Sequence, residues 1–335
     1  MIPGKKVLLV GGAGFIGHHL ALELARRGAS VEVVDGLMDN DPRRELYARM
    51  VAERLALLRE AGVGLHVLDA RDSHALARVV ARTRPNTLVQ LAAVSHAGRS
   101  NQDPRGCFEH SLRTLQHALD AARGAAVEHF VYFSSSMVYG NFRADSVQED
   151  HPLEPIGVYG ALKLAGEKMV LAHRQVFGLP YTIVRPSALY GPRCVGRRVS
   201  QIFIENALAG RRLRIDGDGS ERLDFTCVED LVDGACRVVA HPAAHDQTFN
   251  LTYGASRSVA ALVGVLQRHF PQLQVEHAAR DALMPLRGTL CIERARQLLG
   301  YAPRFALEAG IARYVAWYRG FLQAGQHAAR APVAA

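Results

Sequence analysis

The chain has 335 residues, room for one large domain or two modest ones, and its 49% apolar and 21% charged residues exclude a disordered polymer. Its net charge of +8 is spread over scattered arginines without a basic block, which argues against nucleic acid and leaves a mild attraction for anionic substrates. Five widely separated cysteines (Cys107, Cys194, Cys227, Cys236, Cys291) lack C-x-x-C spacing, no apolar run approaches the roughly 20 residues of a membrane span, and a strand near the start leaves no room for a signal peptide, so reduced thiols in a cytoplasmic protein away from the membrane are expected.

Val7 to Val10 form an unbroken apolar run, as in a strand buried on both faces of a parallel sheet. Gly11, Gly14 and Gly17 follow at G-x-x-G-x-x-G spacing, which permits a tight turn, a close backbone approach to a pyrophosphate and close packing of helix on strand. Ile16, Leu20 and Leu24 then give a helix an apolar stripe, and no carboxylate precedes Glu23, so the helix N-terminus is left free for an anion. His18 and His19 on this helix read as polar surface. A second strand over 31–34 ends in Asp35, placed to accept both hydroxyls of an adenosine ribose. That acid favours NAD over NADP, because a 2′-phosphate would meet a negative charge; Arg43 and Arg44 nearby oppose the preference.

A helix is predicted over 45–59, a strand over 65–68 and another over 87–91. Asp69 closes the first of these strands, either as an acid within reach of the adenine amino group or as a turn former. Ala92 and Ala93 follow the second as small residues where a cofactor passes close to the backbone. A helix over 108–123 leads to a strand over 127–133 that runs into Ser134, Ser135 and Ser136. This alternation predicts a doubly wound, Rossmann-like α/β fold with a parallel sheet, whose ligands sit beyond the carboxyl ends of the strands. Residues 1–192 are expected to form the dinucleotide-binding domain and 193–325 a smaller, partly interleaved α/β substrate region, with a frayed tail over 326–335.

Tyr159 and Lys163 stand four apart on a helix predicted to run to about residue 177, so both lie on one face. A phenol titrates near ~10, but a neighbouring ammonium and a cationic nicotinamide stabilise its phenolate. Tyr159 is therefore the candidate acid/base for a hydroxyl proton, and Lys163 the group that lowers its pKa and holds the nicotinamide ribose. No metal is implied, since no histidines cluster at ligand spacing.

With these motifs in order, the chain resembles the extended short-chain dehydrogenase/reductases of the NAD-dependent nucleotide-sugar epimerase and dehydratase family. The resemblance runs from Gly11-Gly12-Ala13-Gly14-Phe15-Ile16-Gly17 through Leu91-Ala92-Ala93, Ser134 to Gly140, Tyr159 with Lys163, and Arg185 to Pro192, as far as Leu298-Leu299-Gly300-Tyr301. It implies that Gly11, Gly14, Phe15, Ile16, Gly17, Asp35, Asp69, Ala70, Leu91, Ala92, Ala93 and Pro186 line NAD together with Tyr159 and Lys163. It implies that Ser135 hydrogen-bonds the sugar hydroxyl and that Ser95, Ser136, Ala188, Arg193, Arg222 and Arg287 line a nucleoside-diphosphate sugar, with Arg198 a further candidate for the diphosphate. A homodimer through the helices around Phe108 and Tyr159 is the family expectation.

Departures from the family pattern bear on reaction type. Dehydratases carry a Glu, often after an Asp, just before the V-Y-G or L-Y-G triplet, because eliminating water needs a second acid/base; Ser136 and Met137 stand there. Gln90 and His110 replace a common His and Asn, Ala188 replaces an Asn that contacts substrate, and Arg222 is shifted by one place relative to R-D-F. Epimerisation, most simply at C4, is the expected activity. The rivals are a dehydratase or 4-keto reductase of the same family, and a non-catalytic NAD-binding regulator.

Overall fold

The computed structural model describes residues 2–38, 45–94 and 97–330. Seven strands form one parallel sheet: β1 Lys6–Val10, β2 Ser30–Asp35, β3 Gly64–Val67, β4 Thr87–Gln90, β5 His129–Phe133, β6 Tyr181–Arg185 and β7 Gln247–Asn250. Their order is β7-β6-β5-β4-β1-β2-β3. The chain first winds outward from β1 to β3 and then returns to β4 on the other side. The switch point between β1 and β4 opens a crevice at the strand ends where Gly11 and Ala92 meet.

Residue alternation along each strand sends side chains to two cores. Leu9 and Val33 pack with Leu20 and Leu24 of α1 (Phe15–Arg26) on one face, joined by Leu231 and Val238 from a helix at Val228–Ala240. Leu8, Val10 and Phe130 pack on the other face. Their partners there are Leu76 and Val80 of the helix Ser73–Thr83, Leu115 and Leu119 of Thr114–Gly124, and Val170 of Gly157–Phe177.

A third core holds the C-terminal lobe, with Phe203, Ile204, Leu262, Tyr314 and Tyr318. It also takes Tyr47 and Met50 from α2 (Glu45–Glu60), and the Tyr47 hydroxyl donates to Glu205 at 3.0 Å. Residue 192 is therefore no boundary of the sheet, since β7 and the helix Val228–Ala240 arrive from beyond it. Interleaving runs both ways.

Three local expectations are corrected. The helix predicted over 108–123 is a helix at Pro104–Phe108, a π-helical turn at Glu109–Arg113 and a helix at Thr114–Gly124. The Thr114 hydroxyl donates to the carbonyls of His110 (2.8 Å) and Ser111 (3.2 Å), competing with the regular backbone ladder at this junction. The tail expected from residue 326 is helical as far as Arg330, because the last helix, Leu307–Arg330, continues through it. His18 is fully buried and His19 half-buried, so neither is polar surface. A segment some 170 residues later lies over this face of α1, placing the Pro192 carbonyl 3.1 Å from His19 and the Arg193 guanidinium 3.1 Å from His18. All five cysteines are free thiols, and among the described residues no helix is long and apolar enough to cross a membrane.

Candidate active site

The glycine loop is built by sterics. Gly11 has φ +81°, and a Cβ there would sit 2.5 Å from the Ala92 nitrogen, so only glycine lets β4's end close on the loop. At Gly17 a Cβ would lie 2.6 Å from Gly12 Cα, which fixes how closely α1 approaches the turn. Leu91 and Ala92 both donate backbone N–H groups to the Val10 carbonyl, at 2.8 and 2.9 Å. Gln90, in place of a common His, donates from Nε2 to the Ala92 carbonyl at 3.1 Å, so the substitution still supports this turn.

Gly14 caps α1 without a side-chain hydrogen bond, and no acid lies in the first turn. The N–H groups around Phe15 and Ile16 are thus presented to an anion. Asp35 accepts from Ala13 N and Leu37 N, both at 2.9 Å, one on each oxygen. Each oxygen keeps a lone pair for a ribose hydroxyl. Burial pushes this carboxyl up while the two N–H donors pull it down. A loop for a diphosphate, followed by an acceptor pair for a ribose, fits a dinucleotide.

Asp69 stands at the same end of the sheet, but its carboxylate is held by Arg71 at 2.5 Å, which keeps it below the usual range. Reaching an adenine amino group therefore means sharing with Arg71. Ala70 is buried beside it, and its carbonyl lies 3.1 Å from His117 Nδ1. Ala93 is half-buried at the end of the same loop, and Pro186 is buried with its carbonyl accepting from Ser136 N at 2.9 Å. Ser95, Arg43 and Arg44 lie outside the described residues.

The end of β5 and the first turns of the helix Gly157–Phe177 bring together Ser135, Tyr159 and Lys163, the candidate catalytic residues. Ser135 caps the 3-10 turn Ser136–Tyr139, its Oγ accepting from Met137 N at 3.2 Å, and hydrogen-bonds the Tyr159 phenol. Gly160 lets the helix sit against this turn, since a Cβ there would lie 2.7 Å from the Met137 carbonyl. Lys163, buried, donates to the Phe133 carbonyl at 2.7 Å, and burial pushes its ammonium down to about 8. Burial also pushes the Tyr159 phenol up; the Arg198 guanidinium and the Ser135 hydrogen bond pull it back down. Lys163 thus lies one turn after Tyr159 on the same helix, with its ammonium on the Phe133 carbonyl.

The Ser134 hydroxyl donates to Glu167 at 2.5 Å. Ser136 is buried beneath the turn and Met137 nearly so, and neither offers a second acid or base.

Beyond the turn, Arg222 and Arg287 line one cleft of about 610 Å³ with Phe142, Arg143, Ser256 and Thr289. Arg222 is anchored through Nε to Ser256 Oγ at 3.0 Å and through Nη2 to its carbonyl at 2.6 Å. Arg287 keeps a buried Nε without a partner, and burial pushes its guanidinium down against the pull of Glu221. Two arginines converging on one cleft suit a diphosphate. Arg193 does not join them. It pairs with Glu53 at 3.0 Å and with His18 behind the cofactor loop. Ala188, with φ +36°, packs against the C-terminal core. Sequence reasoning missed Phe142, Arg143, Ser256 and Thr289, which no motif marks.

A doubly wound sheet with a glycine loop, a ribose acid and a Ser, Tyr and Lys constellation at the strand ends defines a dinucleotide-dependent enzyme of the extended short-chain dehydrogenase/reductase class. Residues 7–252 match the NAD dependent epimerase/dehydratase family, and the chain belongs to it. The cofactor is NAD. The chain is 31% identical to the UDP-glucose 4-epimerase of Mycolicibacterium smegmatis, over 94% of this chain and 98% of that one. It is equally 31% identical to the dTDP-glucose 4,6-dehydratase of Streptomyces griseus, over 93% of each. Among solved structures it resembles the UDP-glucose 4-epimerase of Thermotoga maritima with UDP-glucose, at TM-score 0.86 and 25% identity over 95% of this chain and 100% of that one.

Proposed function

We propose that the protein is an NAD-dependent epimerase that inverts C4 of a nucleoside-diphosphate hexose through a transient 4-keto sugar. Relatives of both reaction types are equally similar overall, so the decision rests on side chains. The observation that carries it is the buried turn at Ser136 and Met137, which supplies Ser135 and Tyr159 with no further acid or base for removing water.

Tyr159, as phenolate, takes the proton of the C4 hydroxyl while Ser135 holds that oxygen. NAD, which the Gly11 to Gly17 loop and Asp35 would hold, would supply the hydride acceptor and donor for this carbon. Once the keto sugar has turned over, C4 takes the hydride on its opposite face and Tyr159 gives the proton back to the C4 oxygen. Lys163, between Phe133 and the reacting centre, orients the nicotinamide ribose. Arg222 and Arg287 hold the diphosphate, a tether that lets the sugar rotate without leaving. Ser95 is retained in the substrate site as an expectation from the family resemblance.

This reading includes a cytoplasmic homodimer. Phe108, Val176 and Phe177 are large exposed apolar side chains on the two helical segments expected at its interface, which supports that pairing. Light scattering on the purified protein tests it, with a monomer the contrary result. A place in making surface polysaccharide is part of the same reading, by association with the family.

The reaction is tested by proton NMR in D2O with UDP-, GDP-, CDP- and dTDP-sugars and only catalytic NAD. Two epimers interconverting without deuterium in the sugar is the expected result. A 6-deoxy-4-keto sugar carrying deuterium would replace the epimerase reading with a dehydratase. Net consumption of NADH or NADPH would replace it with a reductase.

A further inference from the structure

The glycine loop is gripped from behind. In a planar trans peptide the carbonyl and the next N–H point in opposite directions, so a donor that draws the carbonyl backward turns that N–H forward. Arg54, buried on α2, donates from Nη1 to the Ala13 carbonyl at 3.3 Å. His18 holds the following carbonyl, with Nδ1 2.8 Å from the Gly14 oxygen. The N–H groups of those two peptides belong to Gly14, which closes the turn onto the Gly11 carbonyl at 3.3 Å, and to Phe15, the first residue of α1. Phe15 N–H is thereby turned toward the site offered to an anion.

The same guanidinium reaches a second segment. Arg54 donates from Nε, at 3.1 Å, and from Nη2 to the Arg193 carbonyl. Arg193 stands at φ +60°, a conformation that persists where surrounding contacts over-determine it. Its side chain pairs with Glu53 at 3.0 Å and donates from Nε to His18 Nε2 at 3.1 Å. That contact leaves the His18 proton on Nδ1, where it is donated to Gly14. Ala13 is thus held by Arg54 directly, and Gly14 by Arg193 through His18.

Arg54 spends its hydrogen bonds on neutral carbonyls. Among the described residues it forms no ion pair: Glu53 is taken by Arg193, and the Asp35 oxygens by Ala13 N and Leu37 N. A buried guanidinium without a hydrogen-bonded carboxylate is costly. An anion settling on the other side of the loop offsets that cost.

Resting on the glycine loop as the diphosphate site, we propose that Arg54 is a positioning residue for the cofactor: its cation on α2, behind the loop, sets the Ala13–Gly14 peptide for the dinucleotide diphosphate and favours the charge bound there. Arg54 acts through the loop and touches no part of the dinucleotide itself.

Calorimetric titration of the purified protein, freed of nucleotide, with adenosine, ADP and NAD tests this without turnover. Adenosine calls on Asp35, and ADP adds the diphosphate. Arg54→Gln keeps a donor for one carbonyl and removes the charge. It is expected to weaken ADP and NAD about tenfold and adenosine by less than about twofold, with Arg54→Lys recovering most of the loss. Arg54→Met, close to the arginine stem in volume, is the second neutral variant should the first not fold, and circular dichroism checks each. A parallel loss for adenosine and ADP overturns the proposal, since it marks a general loosening of the lobe. An unmoved ADP affinity overturns it, as does a lysine variant no better than the neutral ones. Failure of both neutral variants to fold makes Arg54 structural and overturns it too. No binding of ADP by the unsubstituted protein would defeat the cofactor site itself, and this inference with it.

Discussion

Arg185 and Glu167 form a buried ion pair beneath the 3-10 turn Ser136–Tyr139, with Nε and Nη2 of the arginine 2.9 and 2.7 Å from the two oxygens of the glutamate. Glu167 stands one turn beyond Lys163 and also accepts from Ser134, so one carboxylate ties the end of β5, β6 and the helix Gly157–Phe177 together. Arg185 reaches on to the Tyr139 hydroxyl and the Glu149 carbonyl. Replacing such a pair by apolar groups can be nearly neutral, but breaking it leaves a buried charge unmet. Glu167→Gln is therefore expected to lower unfolding stability by about 3–5 kcal/mol. Arg185→Met combined with Glu167→Gln should cost less than the sum of the single changes. Urea unfolding of the three variants measures both, and full additivity would remove the coupling.

The Ser135 contact to Tyr159 predicts a different kind of loss. Tyr159→Phe removes the acid/base and is expected to lower kcat by about 10²–10⁴-fold with NAD still bound. Ser135→Ala removes one hydrogen bond to a group that becomes charged, worth roughly 1.5–3 kcal/mol, and so about 10- to 100-fold in kcat. Both variants should keep wild-type melting temperatures. NAD retention with lost turnover would also dispose of the non-catalytic regulator as an alternative.

What was legible in the sequence is what is local. Gly11, Gly17, Asp35 and the Tyr159 and Lys163 pair announce themselves because their geometry follows from neighbours within one strand, turn and helix. Five of the seven parallel strands follow from the alternation of apolar runs, whereas β6 and β7 are not singled out by it. The rest depends on residues brought together from far along the chain. His18 looks like helix surface until Pro192 and Arg193 are laid over it. Arg193 looks like a diphosphate arginine until Arg54 of α2 takes its carbonyl and Glu53 its side chain. The cleft around Arg222 takes Phe142 from one segment and Thr289 from another, with no spacing rule to connect them.

Asp35 makes the cofactor preference testable. Its two oxygens are already hydrogen-bonded to Ala13 N and Leu37 N, which fixes the carboxylate; if it receives the adenosine ribose as proposed, a 2′-phosphate would meet its charge. Asp35→Ser keeps an acceptor and removes the charge, so the preference for NAD over NADP should fall by at least roughly tenfold, mostly by weakening NAD. Fluorescence titration with each cofactor gives the ratio. An unchanged ratio would shift the discrimination to residues after Leu37.

Asp224 provides the clearest pH dependence of stability. It is fully buried and accepts from Leu290 N and the Thr252 hydroxyl at 3.1 Å and from Gly254 N at 3.2 Å, joining three segments of the C-terminal lobe. Burial outweighs these donors and raises the carboxyl to about 6, above its usual value near 3.8. A folded-state pKa above the unfolded one means that folding favours the protonated acid. The resulting stabilisation is complete below about pH 4 and is lost as pH rises through about 6. Asn at this position is uncharged throughout, and the Thr252 hydroxyl can turn to accept from its amide. The melting temperature of the natural protein, measured relative to Asp224→Asn, should therefore fall between pH 5 and pH 7.5, the interval that brackets the folded-state value of about 6. A difference that stays flat across that interval would mean that Asp224 is already ionised at its lower end and that its three donors outweigh burial.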